Sequence, residues 1–432
     1  MNLEQIKAAQ QLLAPVMRRT PVVASRVLSE TTGFAVSLKC ENLQRTGSFK
    51  PRGAYNRIAN LSAEERAAGV VAASAGNHAQ GVAWSATELG IKSTVFMPTG
   101  APLPKLVATK AYGAQVHLHG STVDEALVAA REFADRTGAV LVHPFDHEDV
   151  VAGQGTVGLE ILEQLPEVGT ILVPTGGGGL IAGVAAAVKA VRPQVRIVGV
   201  QAETAAAWPA SLAAGKPTAL ASMSTMADGI AVGCPGEVPF AEVAAHVDAV
   251  VTVSEEALSK ALLLCLERAK LIVEPAGVAA VAALMTCTPE ELGLTGPVCA
   301  VLSGGNIDPL LLTHVISHGL RAAGRFLGVH ITIDDRPGAL VSLLEVVRAN
   351  GASVVDVIHS RTGGELALDE VEVFLTVETR GPDNKAELLT AFDRAAYAVR
   401  LQNLGELLGR PAAQNRHAIL LVDQPGGYVE LM

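Results

Sequence analysis

The chain has 432 residues, of which 49% are hydrophobic and only 3% aromatic, and it carries a net charge of −10. That length asks for two or three units, with cores built mainly of Ala, Val, Leu and Gly. The acidic excess excludes a general nucleic-acid or anionic-membrane role, since both reward clustered Lys and Arg, and no apolar run is long enough to span a bilayer.

In chain order, short β-branched runs alternate with Ala-rich helical stretches between about residues 35 and 320. Residues 70–73 predict a strand and 77–89 a helix. Residues 93–97 and 114–118 predict strands, followed by helices near 105–112 and 123–136. Further strands are expected at 170–173, 196–200 and 297–302, with a helix at 180–191. Such alternation builds a mostly parallel α/β sheet, whose ligands bind at the carboxyl ends of the strands. Beyond Arg325 the pattern changes to strand 327–333, helix 339–350, strands 353–360 and 371–378, helix 384–396 and strand 398–401. That βαββαβ order predicts a ferredoxin-like unit. The expected division is therefore 1–325, 326–402, and a tail 403–432 with one strand candidate at 417–422.

Two features carry chemistry. Lys50 stands between Phe49 and Pro51, just before a helix. Partial burial there lowers a lysine's pKa, so the amine can form a Schiff base or act as a base, while the phenyl ring covers one face of a flat cofactor. Far downstream, Gly176, Gly177, Gly178 and Gly179 run into Leu180 between a strand and a helix. Side-chain-free backbone at a helix N-terminus is a phosphate cradle. Lysine and cradle together point to pyridoxal 5'-phosphate. Asn77, behind Ser74-Ala75-Gly76, can donate to a phenolate oxygen, and the amides around it can hold a substrate carboxylate. Ser303, after a strand, offers a pyridine nitrogen only a neutral hydroxyl, which favours elimination.

Other patterns compete. Gly153-Gln154-Gly155-Thr156-Val157-Gly158 fits a dinucleotide fingerprint, but no clear strand precedes it and no acidic residue lies about twenty positions on. His143, Asp146, His147 and Glu148 resemble metal ligands without a helical register, so a loop near the site is expected and no metal. Cys40, Cys234, Cys265, Cys287 and Cys299 contain no Cys-x-x-Cys, which predicts free thiols. The N-terminus lacks a signal-peptide core, so a cytoplasmic location is expected.

Taken together, Ser48-Phe49-Lys50-x-Arg52-Gly53-Ala54, the Ser74–Gly81 stretch, Gly176–Leu180, Ala227-Asp228-Gly229-Ile230 and Ser303-Gly304-Gly305-Asn306 resemble the threonine dehydratases (threonine ammonia-lyases). These belong to the tryptophan-synthase-β-like, fold type II pyridoxal phosphate enzymes. The resemblance implies a two-subdomain parallel-sheet catalytic domain over 1–325. It makes 326–402, with its Arg336-Pro337-Gly338 turn, similar to an ACT regulatory domain. Lys50 would be the catalytic residue and would hold the cofactor with Phe49, Asn77, the glycine run through Leu180, and Ser303. Ser74, Ala75, Gly76, Asn77 and His78 would meet the substrate. The implied reaction is deamination of L-threonine to 2-oxobutanoate in isoleucine synthesis, with isoleucine, and secondarily valine, as effector and a dimer or tetramer as assembly. A catabolic serine/threonine dehydratase, a degenerate amino-acid sensor and an NAD-binding protein are the alternatives. Ala75 stands where serine racemases of this family carry a hydroxyl, which disfavours racemisation. Gln201 and Ala207 stand where metal-binding members carry acidic groups.

Overall fold

The computed structural model describes residues 1–361 and 366–401. The chain divides into two compact units, Met1–Gly319 and a second from Leu320 onward. Arg325, where the sequence pattern changes, falls just inside the second. Gln402 and the expected tail 403–432, with its strand candidate, lie outside the described residues.

Ten strands belong to the first unit: β1 (Val22–Ala24), β2 (Val36–Cys40), β3 (Val70–Ala73), β4 (Ser93–Met97), β5 (Gln115–Leu118), β6 (Val140–Leu141), β7 (Thr170–Pro174), β8 (Arg196–Ala202), β9 (Ala249–Val253) and β10 (Val298–Leu302). They form two sheets, one ordered β1-β2-β10-β7-β8-β9 and the other β5-β4-β3-β6. All pairings are parallel except β1 with β2. Strands β3, β4, β7 and β10 are buried along their whole length. That explains why they read as continuous apolar runs and not as alternating ones: helices cover both faces.

Local chemistry sets the helix ends. Thr122 and Glu125 form a capping box at the start of Val123–Thr137, and Gly138 closes it at φ +74°. The fingerprint-like glycines, set aside as a nucleotide site in the sequence, lie inside one helix, Glu148–Gln164. They serve helix packing. A Cβ on Gly155 would stand 2.9 Å from the Gly183 carbonyl oxygen, and one on Gly183 would stand 2.3 Å from that of Val151. Two backbones approach where side chains are missing, and residues 153–158 form no nucleotide turn.

The second unit has β11 (Phe326–Asp334), helix Ala339–Ala349, β12 (Ser353–Ser360), β13 (Glu370–Glu378), helix Pro382–Arg394 and β14 (Val399–Leu401). Its antiparallel sheet runs β12-β13-β11-β14, the ferredoxin-like order. Along β13 every second residue is buried, and these pack with Leu343, Val347, Leu388 and Phe392. At the Arg336-Pro337-Gly338 turn, Gly338 adopts φ +90° and Arg361 forks onto the Asp335 carboxylate at 2.7 and 2.9 Å.

Candidate active site

Lys50 is the first residue of helix Lys50–Ala59, with Pro51 in the opening turn. The preceding loop is strapped to the segment after β10. Ser48 bridges Gly304, the Phe49 amide donates to the Ser303 carbonyl at 3.1 Å, and the Gly305 amide donates to Gly47 at 2.8 Å. Beneath it, buried Arg52 donates two hydrogen bonds to Glu41 (2.8 and 2.9 Å) and one to Glu160 (2.7 Å). The loop is thus held from two sides. Lys50 Nζ donates to the Pro144 carbonyl at 3.0 Å and lies 5.2 Å from the Phe49 ring centre. Burial lowers its pKa from the ordinary lysine range to about 8, against an opposing pull from Glu274.

The glycine run connects β7 to helix Gly179–Val191, which begins without a side-chain cap. Gly178 takes φ +99°. A Cβ on Gly177 would fall 2.4 Å from Phe145 Cε1, and one on Gly178 would fall 2.4 Å from Trp208 Cζ2. Trp208 anchors the loop by donating its indole N–H to the Gly176 carbonyl at 2.7 Å. Trp208 is placed in turn by Gln201, whose Oε1 accepts the Trp208 amide at 3.0 Å. The result is a rigid concave backbone at an uncapped helix N-terminus, which suits a phosphate.

The third wall follows β3. Gly76 N–H donates to Ser74 Oγ at 3.1 Å, while helix Asn77–Glu88 starts with no side-chain cap. Asn77 Oδ1 accepts from Asn306 at 2.8 Å, and Asn77 Nδ2 donates to Glu274 Oε1 at 2.6 Å. His78 Nε2 lies 2.7 Å from the Val142 carbonyl, and burial, then Lys50, holds its pKa down near 3. His143 is likewise lowered to about 4 by burial, and its Nδ1 accepts the Asp146 amide at 2.8 Å. Asp146 Oδ1 accepts from Val238, and His147 caps helix Glu148–Gln164. These residues shape a turn. No cluster of three metal-ligating side chains exists among the described residues.

All thirteen residues predicted for the site border one cleft of about 830 Å³. Among the further residues that border it are Glu274, Lys105 and Asp228, which sequence reading did not place there. Lys105 is buried, and its Nζ lies 2.5 Å from Asp228 Oδ2. Glu274 is 2% exposed. Its signal was available, since a single carboxylate inside the apolar stretch 271–278 demands a partner or a task. Asp228 sat within a motif already singled out, without a role.

Comparison with known proteins gives concordant results. The family model described as pyridoxal-phosphate dependent enzyme matches residues 13–304. A Thermotoga maritima protein named L-threonine ammonia-lyase is 47% identical over 401 residues, covering 93% of this chain and 99% of its own. A Staphylococcus aureus protein named L-threonine dehydratase catabolic TdcB is 45% identical over 330 residues, 76% of this chain and 95% of its own. The crystal structure of a T.th. threonine deaminase superposes with a TM-score of 0.67 at 42% identity, covering 71% of this chain and 99% of that one.

The cleft fits the cofactor in the family's name. It supplies an amine of lowered pKa, a glycine run packed too closely on Phe145 and Trp208 to admit a Cβ, and a buried neutral hydroxyl at Ser303. No described helix is long and apolar enough to cross a membrane.

Proposed function

The chain belongs to the pyridoxal-phosphate dependent enzymes, and from that premise we propose that it is a threonine ammonia-lyase converting L-threonine to 2-oxobutanoate and ammonia. The observation that carries the chemistry is the meeting of Lys50, the glycine cradle and Ser303 in one cleft. The substrate comes from the likeness to the Thermotoga relative, whose match extends into the second unit.

When bound, pyridoxal phosphate supplies an electron sink that acidifies the substrate's α C–H. The chain does the rest. Gly176–Leu180 would hold the phosphate, Asn77 would meet the ring oxygen, and the neutral hydroxyl of Ser303 would face the ring nitrogen without protonating it. The uncapped first turn after Gly76 receives the substrate carboxylate. Lys50, once its nitrogen is free, takes the α-proton. With a pKa of about 8 it is roughly a quarter neutral at pH 7.5, against about a thousandth for an ordinary lysine. Water lost from Cα–Cβ in the elimination is regained when the product imine hydrolyses, so threonine becomes 2-oxobutanoate plus ammonia. Ala75 presents no hydroxyl to the opposite face, which favours elimination over racemisation.

The second unit is proposed to be an ACT-type regulatory domain that senses isoleucine, with valine as a second effector, near residues 335–340. The ferredoxin-like order supports this reading. A catabolic role is the second reading, favoured by the Staphylococcus relative. The test is 2-oxobutanoate formation from L-threonine with and without L-isoleucine. Inhibition supports the biosynthetic role, indifference supports the catabolic one, and no product refutes the substrate.

A further inference from the structure

The cleft contains a buried carboxylate that the mechanism above does not use. Glu274 is fixed by its own backbone, whose amide donates to the Gly304 carbonyl at 3.0 Å. Its Oε1 accepts from Asn77, and the fit is so close that a Cβ on Gly304 would lie 2.2 Å away. Its Oε2 is buried and has no hydrogen-bond partner among the described residues. An ionised oxygen left so is costly, unless the ligand provides a donor or the group takes a proton.

We propose that Glu274 is a proton-accepting catalytic residue: Oε2 takes the proton that the α-ammonium of an incoming amino acid must lose before its nitrogen can attack, while Oε1 holds Asn77 in place. This rests on the amino-acid-substrate reading above. An amino acid enters mainly as the ammonium, which has no lone pair. In the transfer, one N–H bond breaks and its electron pair stays on nitrogen. An O–H bond forms on Glu274, and carboxylate plus ammonium become carboxyl plus amine. The charge balances, and the proton is available again when ammonia departs.

The other carboxylates, lysines and imidazoles bordering the cleft are worse placed to take that proton. Lys50 is engaged by the cofactor in the loaded enzyme. His78 is held against the Val142 carbonyl, and His143 Nδ1 is occupied by the Asp146 amide. Asp228 is paired with Lys105, and Asp124 is exposed at the rim. The charges acting on Glu274 come from three elements: Asp228 from the segment before β9, Lys105 from helix Leu103–Ala111, and Lys50. Burial first, and then Asp228, raise the Glu274 pKa to about 7, with Lys105, Asn77 and Lys50 opposing. The acceptor is therefore half ionised at neutral pH and fully ionised above it. A carboxylate poised there suits a proton transfer better than one of ordinary strength.

The test compares wild-type holoenzyme with E274Q and E274D by stopped-flow, following the change in cofactor absorbance on mixing with L-threonine across pH. Cofactor content is measured first. Wild type should speed up with an inflection near neutrality. E274Q should lose that inflection and be slower on the order of 10²-fold at pH 7. The deficit should shrink at high pH, where the substrate amine is already neutral, and E274D should recover part of the rate. An E274Q enzyme that keeps the wild-type rate and inflection overturns the proposal. Should E274Q fail to load cofactor, E274D decides: a displaced inflection supports the role, and an unmoved one overturns it. If the wild type responds to L-serine and not L-threonine, the substrate assignment falls. The same comparison run with L-serine still decides Glu274.

Discussion

The unusual property of Lys50 is its proton affinity, and position alone produces it. Burial removes water from the ammonium and favours the amine, while Glu274 pulls the other way without cancelling the effect. On the proposal that the neutral form is the working base, activity should be lost as pH falls through the lowered pKa. A kcat profile that rises with pH and levels above about 8 is expected, and a flat profile between about pH 6 and about pH 9 contradicts the assignment. Lys50→Ala removes the proposed base and anchor together. It should cost at least about 10³-fold in kcat and abolish the visible absorbance of the lysine-bound cofactor. Retained turnover would refute Lys50. Lys50, Asn77 and Ser303 could be read from the sequence because their chemistry sits in local patterns. Glu274 stood out only as a lone carboxylate in an apolar stretch, and its place in the cleft could not be read, because its meaning lies in a hydrogen bond to a residue 197 positions away.

Elements show the same division between local and distant information. Strands buried on both faces announce themselves as apolar runs, so β3, β4, β7 and β10 were legible to within a residue or so. Helix Glu148–Gln164 was not, because its three glycines depress helix propensity and imitate a turn. Only the partner helix Gly179–Val191 reveals that they form a contact surface. Gly183→Ala should therefore destabilise the fold. Its methyl would stand 2.3 Å from the Val151 carbonyl oxygen, and separating two packed helices costs about 1–3 kcal/mol. A lower urea midpoint at unchanged m-value would confirm it. Gly178→Ala should act differently, since that residue combines φ +99° with the Trp208 ring 2.4 Å from any Cβ. Displacing Trp208 releases the Gly176 carbonyl and opens the cradle. Affinity for pyridoxal phosphate should fall about tenfold or more, measured by titrating apoenzyme, with L-threonine turnover recovered at high cofactor concentration.

At the scale of the whole molecule, the question is what the second unit adds. Every described residue bordering the cleft lies between Phe49 and Ser303, inside the first unit. The first unit also has its own cores, built on the helices around both parallel sheets. The Staphylococcus relative matches over a length close to that unit and close to its own full length. A catalytic unit of this size therefore exists without a second unit of the kind seen here. The second unit has a separate core around β11 and β13, and none of its described residues borders the cleft. Cutting the chain after Gly319 should accordingly leave cofactor binding and L-threonine turnover within about threefold of the full chain, provided the shortened helix Pro309–Ala322 keeps its register. What should disappear is any response to L-isoleucine or L-valine, because coupling requires a second site and the two states it distinguishes. Initial rates of both forms over a series of isoleucine concentrations decide the matter. A truncated enzyme still inhibited by isoleucine would place the effector in the catalytic cleft itself. A truncated enzyme that loads cofactor and fails to turn over would give the second unit a part in catalysis.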